Sequence, residues 1–255
     1  MSRARRPTVV VAGLGLIGGS LARALTREGY RVIGLDRPAV LRRARRARAI
    51  AASAPSLAEA LARADVLVLA APPRVNHALL REAARLARPG LVVTDVGSVK
   101  QPICAEAARL RLRGFVGGHP LAGTERSGFE ASSARLFLGR SWILTPSPGG
   151  ERAARVVARL ARATGARPVR LTPAAHDRAV ALLSHVPQLV SWALVEAVRG
   201  DPMGARHLRI AGPGFRDMTR LAKSPRGLWR QILAENRVEV RRALAGFRRA
   251  LRAQP

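Results

Sequence analysis

Three glycines near the amino end limit the possible folds of this chain more than any other feature. Gly13, Gly15 and Gly18 lie between the β-branched run 8–11 and a segment whose leucines have helical spacing. In a strand, glycine turn and helix of this order, the first glycine allows the tight turn and the second leaves room for a pyrophosphate. The third lets the helix pack closely on the strand. The order therefore predicts a dinucleotide site at the start of the chain.

The next apolar run, 32–35, ends at Asp36, which lies 18 residues after Gly18. A carboxylate at this distance is typical of a residue that binds a ribose hydroxyl. Strand and helix patterns then alternate to about Leu171. Because repeated alternation of this kind is typical of doubly wound folds, we predict an α/β fold with a Rossmann-type doubly wound parallel sheet.

The pattern changes after residue 172, where no further strand is predicted and helical spacing dominates. The spacing predicts helices over 174–198 and 227–251. We therefore expect a dinucleotide-binding Rossmann domain at 1–172 and an all-α carboxyl-terminal domain at 173–255. A helical domain this small with this many leucines is expected to bury some of them against a second copy. The sequence thus predicts a homodimer through the second domain.

The formal net charge of +29 first suggests a nucleic-acid partner. Of the 45 basic residues only Lys100 and Lys223 are lysines, so 43 are arginines. The arginines are spread over nearly every helical segment instead of forming one patch. We interpret them as solvated helix faces and expect no nucleic-acid partner, with a polyanion surface as the alternative.

Cysteine content and hydropathy point to a protein of the cytoplasm. The single cysteine, Cys104, excludes an internal disulfide framework and a cysteine-rich metal site, and no metal is expected. Glycines interrupt the apolar run at the amino end and charge returns at Arg23, which argues against a secretory signal. No apolar stretch is expected to reach the length of a membrane span, so we predict no membrane partner.

Polar motifs follow the predicted strands, at the edge where open parallel sheets bind their ligands. Two motifs, at 95–100 and 117–125, read Asp-Val-Gly-Ser-Val-Lys and Gly-Gly-His-Pro-Leu-Ala-Gly-Thr-Glu. Two more, at 184–187 and 217–220, read Ser-His-Val-Pro and Asp-Met-Thr-Arg. In this order the motifs resemble those of the prephenate and arogenate dehydrogenase family of tyrosine biosynthesis, and the similarity covers about 9–247.

The resemblance implies an oxidative decarboxylation, in which NAD takes a hydride from the carbinol carbon of a cyclohexadiene ring and the ring carboxylate leaves as carbon dioxide. His119 is the candidate to accept the hydroxyl proton, because the reference pKa of histidine, about 6.5, lies near operating pH. The alternative is a structural histidine after a strand. The family implies that Ser98 hydrogen-bonds His119, and Ser98 also stands where a helix N-cap is expected.

The resemblance also assigns substrate and cofactor residues. Arg220 offers a planar fork for a substrate carboxylate. His185 is expected in the substrate cleft, whereas His176 and Asp177 are interpreted as structural. The expected substrate-binding residues are Arg220, His185, Glu125 (a gate at the substrate entrance) and Gln188. The expected cofactor-binding residues are Gly13, Gly15, Leu16, Ile17, Gly18, Asp36, Arg37 and Pro72.

Two choices of ligand remain open. The carboxylate of Asp36 accepts a ribose hydroxyl and repels a 2′-phosphate, which favours NAD, while the adjacent Arg37 keeps NADP as an alternative. Many prephenate-using members carry a second histidine where this chain has Gln188. Prephenate is the favoured substrate, and arogenate alone or both substrates are the alternatives.

Two other hypotheses about the function lie outside this family. A hydroxyacid dehydrogenase with a catalytic lysine also begins with such a glycine turn, and only Lys100 and Lys223 could serve it. Neither lysine stands in the glycine-rich context of that group. A basic Rossmann protein that binds nucleic acid without catalysis would explain the charge but not the ordered polar motifs.

Overall fold

The computed structural model describes residues 6–254 and confirms the predicted α/β fold with a helical carboxyl-terminal region. Over these residues one sheet has the strand order β3-β2-β1-β4-β5-β6-β7-β8. The strands are β1 (Thr8–Ala12), β2 (Arg31–Leu35), β3 (Ala52–Ser53), β4 (Val66–Leu69), β5 (Val92–Asp95), β6 (Phe115–Pro120), β7 (Ser141–Pro146) and β8 (Arg167–Arg170). The helices of the first part are α1 (Leu16–Arg27), α2 (Pro38–Arg46), α3 (Leu57–Leu61), α4 (Pro73–Leu86), α5 (Gln101–Arg109) and α6 (Glu151–Ala163).

The sheet is buried on both faces, as the uninterrupted apolar strands predict. In β1, Val9 and Val11 belong to one apolar core and Val10 to the other. Because successive strand residues point to opposite faces, the run 8–12 supplies both cores. Helices α1 and α6 contribute to the first core, and α3, α4 and α5 contribute to the second.

The sheet departs from the predicted all-parallel arrangement at β7. The first six strands are parallel, but β7 is antiparallel to β6 and parallel to β8. The reason lies in the connection, since 121–140 contains only a short 3-10 turn and no crossover helix. Parallel neighbours need a crossover, whereas antiparallel neighbours can be joined by a loop.

The contacts divide the chain into two compact units, one up to His176 and one from Asp177. The helix Pro173–Gly200 runs across this division and consists of three segments. Pro187 lies in the first turn of the third segment, directly after a π-helical segment. Proline lacks an N–H donor, and π-segments occur where helical hydrogen bonding is interrupted. The three segments are α7 (Pro173–Val180), the π-helix Ala181–His185 and α8 (Val186–Gly200).

The expectation about membrane spans is wrong in one respect. By length and composition, the helix Pro173–Gly200 is long and apolar enough to cross a membrane. One such helix is weak evidence for a membrane span, because core helices of soluble proteins can have the same length and composition. The helix also carries the buried polar side chains of His185 and Gln188.

The long helix predicted at 227–251 is two helices that meet at Asn236, which has φ −108° and ψ 25°. The apolar spacing continues across the break, so the sequence pattern alone did not show it. The remaining helices are α9 (Gly204–His207), α10 (Pro213–Thr219), α11 (Arg226–Glu235) and α12 (Arg237–Arg252).

Candidate active site

The glycine turn after β1 leaves no room for a side chain at two of its three positions. Gly13 has φ +98°, and a Cβ there would lie 2.6 Å from the carbonyl carbon and oxygen of Ala70. A Cβ on Gly18 would lie 1.8 Å from the carbonyl oxygen of Gly13. At Gly15 no other heavy atom of the described residues lies within 4 Å of the Cβ position, apart from its chain neighbours. The turn is open only at Gly15, as the close approach of a pyrophosphate requires.

Two helices begin at the same carboxyl edge of the sheet. Helix α1 starts at Leu16, with Gly15 as its N-cap and no side-chain cap, and its first turn with Ile17 contains no acidic residue. Pro72 is the N-cap residue of α4, after β4. The N–H groups of a first helical turn attract anions, so the residues present fit the phosphates of a dinucleotide.

Asp36 lies directly after β2, where its carboxylate contacts the glycine turn. Oδ2 accepts a hydrogen bond from the backbone N–H of Leu14 at 2.6 Å, and Oδ1 accepts one from Arg37 at 2.6 Å. The Asp36 side chain is 17% exposed, whereas the Arg37 side chain is 87% exposed. These contacts hold a carboxylate beside the turn, in the position that suits a ribose hydroxyl.

A buried ion pair connects the ends of β5 and β6. Lys100 Nζ donates hydrogen bonds to Asp95 Oδ2 and, at 2.9 Å, to the carbonyl oxygen of Gly118. Asp95 accepts backbone N–H bonds from Gly97 at 2.8 Å and from Gly118 at 3.0 Å. Both charged side chains are at most 1% exposed. Since Gly118 precedes His119, the pair fixes the backbone that carries this histidine, and the Lys100 ammonium is committed to protein groups.

His119 lies on β6, half-buried, at the same edge as the glycine turn. Its Nδ1 is 2.8 Å from Nε2 of His176, and the two rings meet edge to face with centroids 5.0 Å apart. His176 is fully buried. The sequence interpretation gave His176 a structural role, and only the folded chain shows that it contacts His119.

Ser98 lies in the loop between β5 and α5, but it does not cap the helix. Helix α5 begins at Gln101 with Lys100 as the N-cap residue and a proline in its first turn. The N-cap prediction for Ser98 is therefore wrong, because Pro102 has the fixed φ that suits the start of a helix. The proposed hydrogen bond from Ser98 to His119 stays a prediction.

In the second unit, His185 is buried in the π-helical segment before Pro187. Its Nδ1 lies 3.2 Å from Asn236 Nδ2, which donates a second hydrogen bond to the carbonyl oxygen of Asp177 at 2.8 Å. The ring of Trp229 meets His185 edge to face at 5.8 Å. Asn236 was not among the predicted site residues, and its only signal in the sequence is a polar residue within a long helical pattern.

In the second unit, Gln188 hydrogen-bonds the backbone of the residue that follows Arg220. Gln188 is fully buried, and its Nε2 donates to the carbonyl oxygen of Leu221 at 2.8 Å. Leu221 directly follows Arg220, which is exposed at the start of a 3-10 turn. The Gln188 Oε1 is buried and has no hydrogen-bond partner among the described residues. Glu125, in the first unit, lies half-buried in the loop after β6.

The first unit thus places the glycine turn, Asp36, Ser98 and His119 at one edge of the sheet. Hydride and proton transfer require this combination: a dinucleotide site and an imidazole at the ends of neighbouring strands. Between residues 6 and 254 no group of three histidine, cysteine, aspartate or glutamate side chains is placed to hold a metal ion.

Two family models match almost the whole chain. The model described as "Prephenate dehydrogenase, nucleotide-binding domain" matches residues 21–170. The model described as "Prephenate dehydrogenase, dimerization domain" matches residues 172–254. The chain belongs to the prephenate dehydrogenase family. The resemblance inferred from the motifs is therefore confirmed.

Individual relatives agree with this assignment. A curated prephenate dehydrogenase of Bacillus subtilis is 35% identical over 92% of this chain, which spans 66% of that relative. A crystal structure of prephenate dehydrogenase from A. aeolicus, in complex with hydroxyphenyl propionate and NAD⁺, superposes with a TM-score of 0.91 at 31% identity, covering 99% of this chain and 90% of that one. A Synechocystis arogenate dehydrogenase superposes with a TM-score of 0.81 at 32% identity, covering 96% of this chain and 89% of that one.

Proposed function

We propose that this protein is an NAD-dependent prephenate dehydrogenase, which converts prephenate to 4-hydroxyphenylpyruvate, CO₂ and NADH in tyrosine biosynthesis. The observation that carries the proposal is the position of His119, half-buried at the same sheet edge as the open glycine turn. Membership of the family supports the reaction class. The reaction needs a hydride acceptor and a base, and the first unit offers a place for each.

NAD⁺ supplies the hydride acceptor. His119 accepts the proton of the ring hydroxyl as the C–H bond breaks, and it returns that proton to the oxygen when the ring becomes aromatic. The bond to the ring carboxylate breaks in the same conversion, its electron pair enters the ring, and CO₂ leaves. Ser98 is proposed to orient His119. Arg220 is proposed to hold a substrate carboxylate, with His185, Gln188 and Glu125 as further substrate residues.

Asp36 supports the proposed preference for NAD over NADP. Backbone N–H groups hold its carboxylate beside the glycine turn, so its charge would meet a 2′-phosphate directly. Arg37 follows with a largely exposed guanidinium, which keeps NADP as the second cofactor candidate. The co-crystallised NAD⁺ in the A. aeolicus relative agrees with the first choice.

Arogenate is the second candidate substrate, and Gln188 supports it. Its Nε2 is engaged by Leu221, so the amide group presents Oε1, a hydrogen-bond acceptor. An acceptor suits the ammonium of the arogenate side chain better than the keto oxygen of prephenate. We therefore propose arogenate as an additional substrate. Prephenate stays the proposed preferred substrate because the Bacillus subtilis relative is a prephenate dehydrogenase.

The experiment is a comparison of initial rates of reduced-cofactor formation with each substrate and each cofactor. We expect the highest kcat/KM with prephenate and NAD and a measurable rate with arogenate. Faster turnover with NADP would contradict the role of Asp36. Turnover of arogenate alone would contradict the substrate preference, and no turnover of either substrate would overturn the proposed function.

We also propose a homodimer, with residues 1–172 as the dinucleotide-binding domain and 173–255 supplying substrate and dimer contacts. The description of the second family model supports this division. Several apolar side chains of the second unit are exposed, including Leu183 at 76% and Ile210 at 84%. A second copy would cover such a surface. A monomeric mass in light scattering at micromolar concentration would refute the dimer.

Localisation and partners are proposed on the same basis. A cytoplasmic protein that acts on small molecules, without a nucleic-acid or membrane partner, fits the family's biosynthetic role and the dispersed arginines. Filter binding to DNA and RNA over a range of salt concentrations tests this. A steep salt dependence together with a sequence preference would favour a nucleic-acid partner instead.

A further inference from the structure

We propose that His176 is a positioning residue for His119. Its Nε2 accepts the Nδ1–H of His119 and so keeps the lone pair of His119 on Nε2, the nitrogen that takes the substrate proton. The proposal rests on the proposed function of His119 as the base. It is carried by the 2.8 Å contact between the two nitrogens and by the complete burial of His176.

A contact of this length between two ring nitrogens is a hydrogen bond, which needs one donor and one acceptor. Two arrangements of the proton satisfy it. If His119 donates, its Nδ1 carries the proton and its Nε2 is a base. If His176 donates, Nδ1 of His119 must be the acceptor, and the neutral His119 then carries its proton on Nε2 and cannot accept another there.

Only the first arrangement is compatible with catalysis through Nε2 of His119. It also remains intact through the reaction, because a protonated His119 still donates from Nδ1. In the second arrangement, protonation of His119 would place two N–H groups against each other. The acceptor on His176 therefore acts like the buried third group of a catalytic triad, which fixes the tautomer and orientation of a histidine base.

The position of His176 is itself fixed by the backbone. Its N–H donates to the carbonyl oxygen of Thr172 at 2.9 Å in the first turn of α7. His119 is held separately, because the ion pair of Asp95 and Lys100 hydrogen-bonds the backbone of Gly118, the residue before it in β6. Both imidazoles thus stand on constrained backbone, so the contact positions His119 as well as selecting its tautomer.

The test combines three substitutions at position 176 with a tautomer measurement. The amide of glutamine reaches where Nε2 of a histidine lies, so His176→Gln keeps an acceptor, while the shorter His176→Asn does not reach and His176→Leu removes it. We expect His176→Gln to stay within about threefold of the wild-type kcat. We expect His176→Asn and His176→Leu to lose kcat by about 10- to 100-fold, with the KM for prephenate and the affinity for NAD little changed.

If His176 had only a structural role, activity would fall in parallel with stability in all three variants. His176→Gln and His176→Asn would then have similar kcat values. That result would overturn the proposal.

The tautomer measurement does not depend on the variants folding. The chain has five histidines, so two-bond ¹H–¹⁵N spectra of the ¹⁵N-labelled wild-type protein can resolve each ring, with His119→Asn as the assignment control. We expect a proton on Nδ1 of neutral His119. A proton on Nε2 would overturn the proposal. If His119→Asn were fully active, the proposed base would fail instead, which separates the two failures.

Discussion

The open space beside Gly15 in the glycine turn predicts opposite effects of Gly15→Ala on stability and on NAD binding. Gly15 has φ −75° and ψ −153°, a conformation open to alanine, and the described residues place no atom near the new methyl group. Removing the freedom of a glycine at a compatible site stabilises a protein by about 0.4–1 kcal/mol. For a chain of this size that raises Tm by about 1–4 °C.

The same methyl group should weaken NAD binding, because it would occupy the space that the pyrophosphate needs. Overpacking of a fitted contact costs about 1–3 kcal/mol. Since 1.4 kcal/mol is a factor of ten, the Kd for NAD should rise by about 5- to 150-fold. Gly15→Ala should therefore combine unchanged or higher stability with weaker cofactor binding.

Gly18→Ala should behave differently. Its Cβ would lie 1.8 Å from the carbonyl oxygen of Gly13 and 2.9 Å from Cβ of Ala70, so the backbone of the turn must move. We expect a loss of about 1–3 kcal/mol or more, seen as a lower Tm, together with weaker NAD binding. Gly227→Ala is the control. It lies in α11, and apart from its chain neighbours and the backbone of that helix no described heavy atom lies within 4 Å of its Cβ position. Stability should therefore rise slightly and NAD binding should not change.

Calorimetric titration with NAD and thermal unfolding of the three variants provide the two readouts. Wild-type affinity for NAD in Gly15→Ala would refute the placement of the pyrophosphate at this turn. A loss of stability in Gly15→Ala would refute the argument that its side is open.

Charged side chains provide three further tests. Asp95→Asn removes the carboxylate from a buried ammonium and should cost about 3–5 kcal/mol in urea unfolding; a loss below 1 kcal/mol would contradict the importance of the pair. Arg220→Ala should raise the KM for prephenate at least tenfold with little change in NAD affinity. The exposed control Arg216→Ala should leave this KM unchanged. Equal effects of the two substitutions would contradict the proposal that Arg220 binds the substrate carboxylate. Glu151 accepts hydrogen bonds from Arg170, which lower its pKa below the usual value, so its contribution to stability is present above the pKa of the unfolded chain and disappears as the pH falls. Glu151→Gln should therefore have a lower urea midpoint than the wild type at pH 7 but not at pH 3, and an equal difference at both would contradict this.

The fold was largely predictable because its signals are local. The run 8–12, the glycine turn and the alternation to residue 171 each follow from neighbouring residues, and the sheet confirms them. The antiparallel β7 was not predicted because strand direction depends on the path of the connecting loop. The break at Asn236 was missed because the apolar spacing of α11 continues into α12.

The site was predictable only in part. His119 could be singled out from its motif, but the partner of its ring could not, because 57 residues separate it from His176. From the sequence, Lys100 was a candidate for the catalytic lysine of a hydroxyacid dehydrogenase. In the fold its ammonium hydrogen-bonds Asp95 in a buried ion pair, a contact that the sequence did not show. Contacts of this kind depend on how strands and helices pack, which spacing along the chain does not encode.

His119 is the proposed base of an NAD-dependent oxidative decarboxylation at this sheet edge. The most direct test measures NADH and CO₂ released from prephenate by the wild type and by His119→Asn. We expect one NADH and one CO₂ per prephenate in the wild type, and kcat lower by about 10²–10⁴-fold in the variant with unchanged NAD affinity. Full activity of His119→Asn, or CO₂ release without NADH, would contradict this role of His119.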